Sequence, residues 1–332
     1  MTAARYSVAA IGNAIVDIMG YCDDDFLAKH CAPKGSMRLV DAEAVQTLYS
    51  EMGPGLEISG GSAANTVVGV ASFGGKTAFI GKVAGDEFGR IFRHDISAAG
   101  VTFETAPVNG KAPTSRSLIL VTPDGERTMN TFLGISTDLD HGEVDAAVIE
   151  GADVVYLEGY LFDQPQAKAA FRQAVALAKK AGRTVALTLS DGFCVDRHRT
   201  EFLELITSGV GILFANESEI TSLYETTSFD EAARRAARDT RLAVLTRSAK
   251  GSLILSDGKA HEIPVEPVAK VVDTTGAGDL YAAGFLYGFT SGCDLPTAGR
   301  LGSLAAAEII SHLGARPQTN LAELARSRGF IF

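Results

Sequence analysis

The sequence Asp273-Thr-Thr-Gly-Ala-Gly-Asp279 lies between a strand-like apolar run, Val268–Val272, and an apolar helical pattern, Leu280–Thr290. A strand, a Gly-Ala-Gly turn and a helix start, in this order, direct several free backbone N–H groups at one place. The helix dipole adds to their positive potential. The stretch therefore predicts an anion-binding turn between a strand and a helix of an α/β fold.

Asp279 is the feature of this stretch that favours chemistry over simple anion binding. A carboxylate beside an anion site repels the anion, so it is a poor choice for binding alone. It is well suited to accept a proton from a hydroxyl group that attacks the phosphorus of the bound anion. The structural alternative is a glycine-rich turn in which Asp279 only caps the helix.

A second strand-to-helix junction, residues 60–65 (GGSAAN), follows the strand-like run Leu56–Ile58. Its paired glycines let a ligand approach the backbone closely, and Asn65 offers a donor and an acceptor one helical turn later. Ser62 has two other interpretations, a helix N-cap or the nucleophile of a hydrolase. The nucleophile-elbow pattern, however, needs glycine where Ala64 stands.

Two further polar pairs follow strand-like runs, where α/β proteins usually place ligand groups. Asn216 and Glu219 suit either a capping box or a hydrated Mg²⁺ held by amide and carboxylate oxygens. Asn13 and Asp17 follow the first strand, Ser7–Ile11, and suit a polyol, because Asp can accept from two hydroxyl groups. A solvated turn is the alternative for Asn13 and Asp17.

Strand-like runs alternate with helical patterns along most of the chain, as in Asp153–Leu157, Gln166–Ala181 and Thr184–Leu189. Such alternation predicts a mostly parallel sheet with helices on both faces. Gly35–Val40 and Ala112–Thr131 are typical of strands without intervening helices, and the second contains a Pro-Asp-Gly hairpin signal. These two segments predict a small separate sheet that covers the main layer.

Composition excludes several classes of partner. The 332 residues carry a net charge of −10, whereas binding to a nucleic acid needs clustered Lys and Arg. The four cysteines fit no metal-ligand spacing, no apolar run reaches the roughly 18 residues of a membrane span, and a signal peptide is not indicated. We therefore expect a cytoplasmic protein with a small-molecule substrate and neither a nucleic-acid nor a membrane partner.

Residues 60–65 and Asp273–Phe285 (DTTGAGDLYAAGF) resemble the two signature motifs of the PfkB/ribokinase family of carbohydrate and nucleoside kinases. The resemblance runs nearly the full chain and includes Gly12-Asn13 with Asp17, residues 81–89 (GKVAGDEFG), residues 216–219 (NESE) and residues 246–251 (TRSAKG). It implies a three-layer α/β ribokinase-like sandwich with a mostly parallel central sheet and a small β-sheet lid. It also implies a single domain over residues 1–332, with lid strands drawn from about 13–42 and 102–135.

The resemblance also assigns roles to matching residues. Asp279 would be the catalytic base for the substrate hydroxyl group. Charge on the transferring phosphoryl group would be stabilised by the backbone N–H groups of Gly276, Ala277 and Gly278. The acceptor would be bound by Asn13, Asp17, Gly60, Gly61, Ser62 and Asn65.

The same resemblance implies ATP and Mg²⁺ on the other side of the site. ATP would lie against Asn216, Thr246, Ser248 and Gly251, and Mg²⁺ would be organised, through water, by Glu219 and Asn216. Asp273 and Thr275 correspond to a monovalent-cation (K⁺) loop of some members. Arg127 would close over the phosphates from the lid hairpin, or is simply an exposed hairpin residue. Ser248 departs from the family pattern, since many members have glycine there.

The acceptor is expected to be a nucleoside, because the chain most resembles the adenosine kinase-like branch. This expectation depends on Gly12-Asn13…Asp17, on the absence of a basic cluster for a sugar phosphate, and on four apolar lid candidates. A purine base needs flat apolar surfaces for stacking, and the candidates are Met37, Leu39, Phe132 and Phe162. The alternatives are that these four belong to the core, that the acceptor is ribose, fructose or a 2-keto-3-deoxy sugar acid, or that the protein binds nucleotide without catalysis. Exposed lid strands are compatible with a monomer or a homodimer.

Overall fold

The computed structural model describes residues 4–331, which form two β-sheets and the helices that pack on them. The strands, numbered in chain order, are β1 (Tyr6–Ile11), β2 (Ile15–Tyr21), β3 (Met37–Leu39), β4 (Gly55–Gly60), β5 (Thr77–Ile80), β6 (Val101–Thr102), β7 (Ser115–Val121), β8 (Arg127–Phe132), β9 (Ala152–Glu158), β10 (Thr184–Thr188), β11 (Ile212–Asn216), β12 (Leu242–Thr246), β13 (Ser252–Ser256) and β14 (Lys259–Ile263). The α-helices are α1 (Asp24–Lys29), α2 (Ala42–Glu51), α3 (Ser62–Ser72), α4 (Glu87–Ala98), α5 (Ala146–Glu150), α6 (Pro165–Lys180), α7 (Gly192–Gly209), α8 (Glu217–Leu223), α9 (Phe229–Asp239), α10 (Ala277–Thr290), α11 (Leu295–Ile309) and α12 (Leu321–Ser327).

The large sheet has the strand order β14-β13-β12-β11-β10-β9-β1-β5-β6. Its pairs are parallel from β6 to β12, whereas β13 and β14 are antiparallel. One face packs on α3, α10 and α11, and the other packs on α6 to α9. The predicted three-layer α/β fold with a mostly parallel sheet is therefore confirmed.

Close packing between helices accounts for part of the glycine content of the last third of the chain. A Cβ atom on Gly284 of α10 would overlap the backbone of Leu301 in α11, and one on Gly69 of α3 would meet Ala283 at 2.6 Å. Only glycine lets these helices approach so closely. The helix α10, which begins at the Gly-Ala-Gly turn, is thereby held between two neighbours.

The small sheet has the strand order β3-β8-β7-β2-β4. It takes strands from both segments expected to supply it and adds β4, which lies between them in the chain. Alternation along β2 places Val16 and Ile18 in the core, and Ile15 and Asp17 on the opposite face. That opposite face is turned toward the large sheet and lines a cleft.

The predicted strand Val268–Val272 is wrong. Residues 264–274 have no sheet partner, and the Val272 N–H donates instead to the carbonyl of Ile310 at 2.8 Å. Val271 and Val272 are 52% and 41% exposed, because the antiparallel strands β13 and β14 already complete that edge of the sheet. A loop rather than a strand therefore leads into the Gly-Ala-Gly turn.

Candidate active site

The candidate site is a cleft of about 640 Å³ between the small sheet and the carboxyl ends of the parallel strands. A volume of several hundred Å³ is typical of small-molecule sites. Polar residues at the carboxyl ends of β1, β9, β10, β11 and β12, or just after them, line it, as expected for a parallel α/β sheet. The predicted site residues that line the cleft are Asn13, Asp17, Met37, Gly61, Ser62, Asn65, Asn216, Glu219, Thr246, Thr275, Gly276, Ala277, Gly278 and Asp279.

Asp279 lies in the first turn of α10 and is held by two side chains of α3. Ser62 Oγ donates to Asp279 Oδ1 at 2.6 Å, and Asn65 Nδ2 donates to Oδ2 at 2.9 Å. Burial raises the pKa of Asp279 above its ordinary value, and the two hydrogen bonds oppose that shift. The two signature motifs, more than 200 residues apart in sequence, thus meet at one carboxylate.

Ser62 is therefore neither a helix cap nor a nucleophile in this structure. The N-cap of α3 is Gly61, whose φ of +99° is a conformation that favours glycine. Among the described residues that line the cleft there is no histidine, so the hydrolase interpretation has no base to activate Ser62.

The turn at residues 276–278, where the sequence predicts an anion site, leads directly into α10. Gly276 is its N-cap, with the left-handed φ of +79° that the motif requires of a glycine. A side chain on Gly278 would meet nothing within 4 Å, so the backbone there is open to the cleft. The Ala277 N–H donates to the carbonyl of Thr274 at 3.2 Å, so this amide is less available than the prediction assumed.

Asp17 projects from β2 into the cleft, and Gly60 on the neighbouring strand β4 leaves room for its carboxylate. A Cβ atom on Gly60 would overlap the Asp17 carboxylate, which explains the glycine although Gly60 itself does not line the cleft. Burial raises the pKa of Asp17 to about 6, and the charges of Arg316 and Arg127 offset only part of the effect.

Arg316 does not line the cleft but supports it, and it was not among the predicted residues. Its guanidinium donates to the carbonyls of Ser59 and Ala64 at 2.7 and 2.8 Å, and so ties the two ends of the residue 60–65 turn together. Its charge lowers the pKa of both Asp17 and Asp279. It lies in the irregular segment after α11, where no motif or periodicity marked it.

Glu158 is the second missed residue. At the end of β9, only 1% exposed, it accepts from Asn13 Nδ2 at 2.7 Å and from the Ala63 N–H at 2.8 Å. Ser136 donates to Asn13 Oδ1 at 2.8 Å, so both ends of the Asn13 amide are fixed. Burial raises the pKa of Glu158 to about 7. A glutamate that ends the apolar run DVVYL at a strand's carboxyl end was the available signal.

Asn216 and Glu219 form the capping box that was one of their two interpretations. Glu219 Oε2 accepts from the Asn216 N–H at 2.9 Å, and Asn216 Oδ1 accepts from the Glu219 N–H at 2.9 Å. Burial raises the pKa of Glu219 to about 7. Both residues also line the cleft, so the cap places an amide and a carboxylate at its edge.

Thr246 lines the cleft, whereas Ser248 and Gly251 shape the turn that follows β12. Ser248, the departure from the family pattern, has a φ of +50°, so serine adopts here a conformation that glycine would take without strain. Gly251 has a φ of +81°, and a Cβ atom there would overlap the carbonyl of Ile263. Neither residue lines the cleft, so the contact of Ser248 and Gly251 with ATP stays a prediction.

The predicted apolar residues are not all in the cleft. Met37 is 53% exposed and lines it. Phe162, however, is 3% exposed and stacks on Phe202 with ring centroids 4.1 Å apart, so its assignment to the substrate site is wrong. Phe132, at the end of β8, packs against the core and is likewise not part of the cleft lining. The aromatic residues that do line the cleft, and that sequence reasoning missed, are Tyr160, Phe193, Phe214 and Tyr281.

Asp273, Thr275 and Arg127 meet beside the anion-binding turn. Arg127 forms an ion pair with Asp273 and donates to Thr275 Oγ1 at 2.6 Å. Asp273 also accepts from the N–H groups of Thr275 and Gly314 at 3.0 and 2.9 Å. The Arg127 side chain, 10% exposed, therefore joins the small sheet to this loop and is not an exposed side chain of the hairpin.

No helix within residues 4–331 is long and apolar enough to cross a membrane. The same residues contain no group of three or more His, Cys, Asp or Glu side chains that could hold a metal ion by themselves.

With the fold and this site in view, the chain belongs to the pfkB carbohydrate kinase family, whose match covers residues 52–321. It is a phosphotransferase with an alcohol group as acceptor, and the family implies ATP as the donor. Comparison then places it in the adenosine kinase-like branch.

Three similar proteins illustrate this placement. The crystal structure of adenosine kinase from Sinorhizobium meliloti has 52% identity and a TM-score of 0.91, covering 98% of this chain and 100% of that one. A probable sugar kinase from Rhizobium etli has 50% identity and a TM-score of 0.92, covering 99% and 100%. Adenosine kinase from Saccharomyces cerevisiae is 27% identical over 330 residues, 92% of this chain and 95% of that protein. The family resemblance inferred from the motifs is thus confirmed.

Proposed function

We propose that this protein transfers the γ-phosphoryl group of ATP to the 5′-hydroxyl group of adenosine, a step of purine salvage in the cytoplasm. The observation that carries the choice of adenosine is a set of large apolar side chains exposed in the cleft. Met37 and Leu39 of β3 are 53% and 59% exposed, and Phe193 at the start of α7 is 78% exposed. Leu133 and Tyr160 also line this space.

Exposed apolar groups of this size are costly in water unless a ligand covers them. A purine base offers two flat faces for such side chains, and aromatic stacking adds to the area that becomes buried. A free sugar offers hydroxyl groups instead and would leave most of this apolar surface in contact with water. The wall of the cleft therefore supports a nucleoside.

The other part of the acceptor site suits ribose. The Asp17 carboxylate has no hydrogen-bond partner among residues 4–331, so both of its oxygens are free to accept from hydroxyl groups. Asn13 is fixed beside it by Glu158 and Ser136. This arrangement orients a vicinal diol through charge-assisted hydrogen bonds before any phosphoryl transfer takes place.

Asp279 performs the proton transfer in the proposed reaction. Its carboxylate accepts the proton of the 5′-hydroxyl group as the oxygen forms a bond to the γ-phosphorus, and the bond from that phosphorus to the bridging oxygen of ADP breaks. The raised pKa of Asp279 makes it a better proton acceptor than an exposed aspartate. The open amides at Gly276 and Gly278 bind the phosphoryl oxygens where negative charge accumulates.

Glu219 and Asn216 fit Mg²⁺ held through water, although they do not form a complete cage of protein ligands. One carboxylate and one amide beside a polyphosphate are the donor set that hydrated Mg²⁺ uses. Glu219 is 6% exposed with a raised pKa, so a nearby cation would lower the cost of its charge. When bound, the ion would neutralise charge on the ATP phosphates.

An ADP-release assay with Mg-ATP tests the acceptor directly. Adenosine, other nucleosides, ribose, fructose and a 2-keto-3-deoxy sugar acid are offered in turn, and adenosine is expected to have the highest kcat/KM. Activity with ribose and none with adenosine would overturn the choice of acceptor. No activity with any acceptor, but retained ATP binding, would favour a non-catalytic nucleotide-binding protein.

Substitution of the proposed base tests the chemistry. Asp279→Asn is expected to fold and to bind ATP while kcat falls by about 10²- to 10⁴-fold, the usual contribution of a general base. Asp257→Asn is the matched control, because Asp257 is exposed in the β13–β14 turn with a φ of +51°, a conformation that asparagine tolerates. Turnover of Asp279→Asn equal to that of the control would exclude the proposed role.

A sugar kinase is the second candidate. Asp17 and Asn13 would bind the hydroxyl groups of a sugar as well as those of a nucleoside, and the Rhizobium etli relative is described as a probable sugar kinase. The exposed apolar wall of the cleft distinguishes the two candidates, since only the nucleoside covers it.

A further inference from the structure

The carboxylate of Asp273 is saturated with hydrogen-bond and ion-pair partners. It accepts from the backbone N–H groups of Thr275 and Gly314, at 3.0 and 2.9 Å, and is paired with the guanidinium of Arg127. The Asp273 side chain is 4% exposed. Little room therefore remains at this carboxylate for any further cation.

Arg127 reaches the loop from a different layer of the molecule. It lies at the start of β8 in the small sheet, and its Nη1 donates to Thr275 Oγ1 at 2.6 Å. The side chain is 10% exposed, and its Nε and Nη2 atoms have no hydrogen-bond partner among residues 4–331. One guanidinium thus contacts the side chains of both Asp273 and Thr275, and its two other nitrogen atoms have no partner among residues 4–331.

Asp273 and Thr275 are the residues that a monovalent cation would need, and they do not fit one here. A K⁺ ion would have to approach an oxygen already paired with a permanent positive charge, and the two cations would repel each other. Arg127 supplies the same unit charge from a side chain of the protein itself. The donor set is consequently complete without an ion.

We propose that the Arg127 guanidinium takes the place of a monovalent cation at Asp273 and Thr275, and that phosphoryl transfer by this protein is therefore independent of K⁺. The guanidinium fixes the loop that leads directly into Gly276, and so positions the amides of the anion-binding turn. Arg127 is a positioning residue in this role. The inference relies on the proposed phosphoryl transfer but not on which acceptor is used.

The wild-type protein gives the first test. Initial rates are measured with the best acceptor in KCl, NaCl and choline chloride at constant ionic strength, and the three rates are expected to agree. A rate in KCl several times that in choline chloride would overturn the proposal.

Removal of the guanidinium gives the second test. Arg127→Gln is expected to lose about tenfold or more in kcat/KM for ATP, as is usual for loss of hydrogen bonds to charged groups. KCl, but not choline chloride, is expected to restore part of that loss, because Asp273 and Thr275 are now free to bind the ion. Loss of activity with no restoration by KCl would contradict the replacement of a cation by Arg127.

Two further variants and a binding measurement keep the result interpretable. Arg127→Lys retains the charge and is expected to stay insensitive to K⁺, whereas the exposed Lys111→Gln is the control for removal of a positive charge. Thermal melting without substrates is expected to show stabilisation by KCl over choline chloride for Arg127→Gln only. A K⁺-dependent shift of the wild type would refute the proposal even if no acceptor were phosphorylated.

Discussion

Asp17→Asn is expected to make the protein more stable at neutral pH while weakening the acceptor site. Burial raises the pKa of Asp17 from an ordinary 3.8 to about 6 in the folded protein. The difference corresponds to about 3 kcal/mol of unfolding free energy that the ionised carboxylate costs at high pH. The Asp17 carboxylate has no hydrogen bond within residues 4–331, so asparagine removes the charge without removing a partner.

The sign of the effect fixes its pH dependence. Between pH 3.8 and about 6 the folded wild type binds a proton that the unfolded chain releases, so its stability falls as the pH rises through this window. Asp17→Asn lacks this proton. Its advantage over the wild type is therefore expected to be absent below pH 3.8, to grow through the window and to reach its limit of about 3 kcal/mol above it.

Urea unfolding at several pH values between 4 and 8 measures this difference, with Asp257→Asn as the exposed control. In the same preparations the KM for the acceptor is expected to rise by about tenfold or more, because the carboxylate is an acceptor of charge-assisted hydrogen bonds. A variant that is no more stable than the wild type at pH 8, or whose advantage does not change with pH, would refute the argument from burial.

Two further substitutions test the remaining parts of the cleft. Gly278→Ala is expected to stabilise α10 by about 0.5 to 1 kcal/mol, since nothing lies within 4 Å of the added Cβ. It is also expected to lower kcat, because that Cβ would face the proposed position of the phosphoryl group. Thermal melting and steady-state rates are measured together, and an unchanged kcat would contradict this placement of the phosphoryl group. Phe193→Ala is expected to raise the KM for adenosine by about 5- to 150-fold, the usual effect of losing one base-stacking contact. Turnover of a free sugar is expected to stay unchanged. Equal effects on both acceptors would exclude a role of Phe193 in binding the base.

The sequence was sufficient to predict the parts of the site that are local in the chain. The Gly-Ala-Gly turn with Asp279, and the paired glycines before α3, are each contained within seven residues, so turn chemistry and helix-start rules applied directly. The alternation of strands and helices predicted the three α/β layers, because each strand and each helix is itself recognised from a short stretch of sequence. The family resemblance then predicted that these two motifs lie in the same site.

Residues that act at a distance could not be recognised in this way. Arg316 binds the carbonyl of Ser59, 257 residues earlier, and lies in an irregular segment without periodicity. Glu158 contacts Asn13 across 145 residues. Phe162 was wrongly assigned to the substrate site. An aromatic residue near a strand end suits the core as well as a cleft, and the packing of α6 and α7 places Phe162 in the core.

Of the carboxylates that line this cleft, those of Asp17, Glu158, Glu219 and Asp279 each have a raised pKa. Burial is the main cause, and the negative charge of Asp279 adds to it at the other three. Such a cluster opposes folding at neutral pH, and the charges of Arg316 and Arg127 offset only part of the cost at Asp17. In the proposed reaction, ligands would lower this cost, because hydroxyl groups would donate to Asp17, a hydroxyl proton would move to Asp279, and a cation held with ATP would lie near Glu219. Binding of acceptor and donor together would therefore stabilise the folded protein more at neutral pH than at a pH at which these carboxyl groups are already protonated.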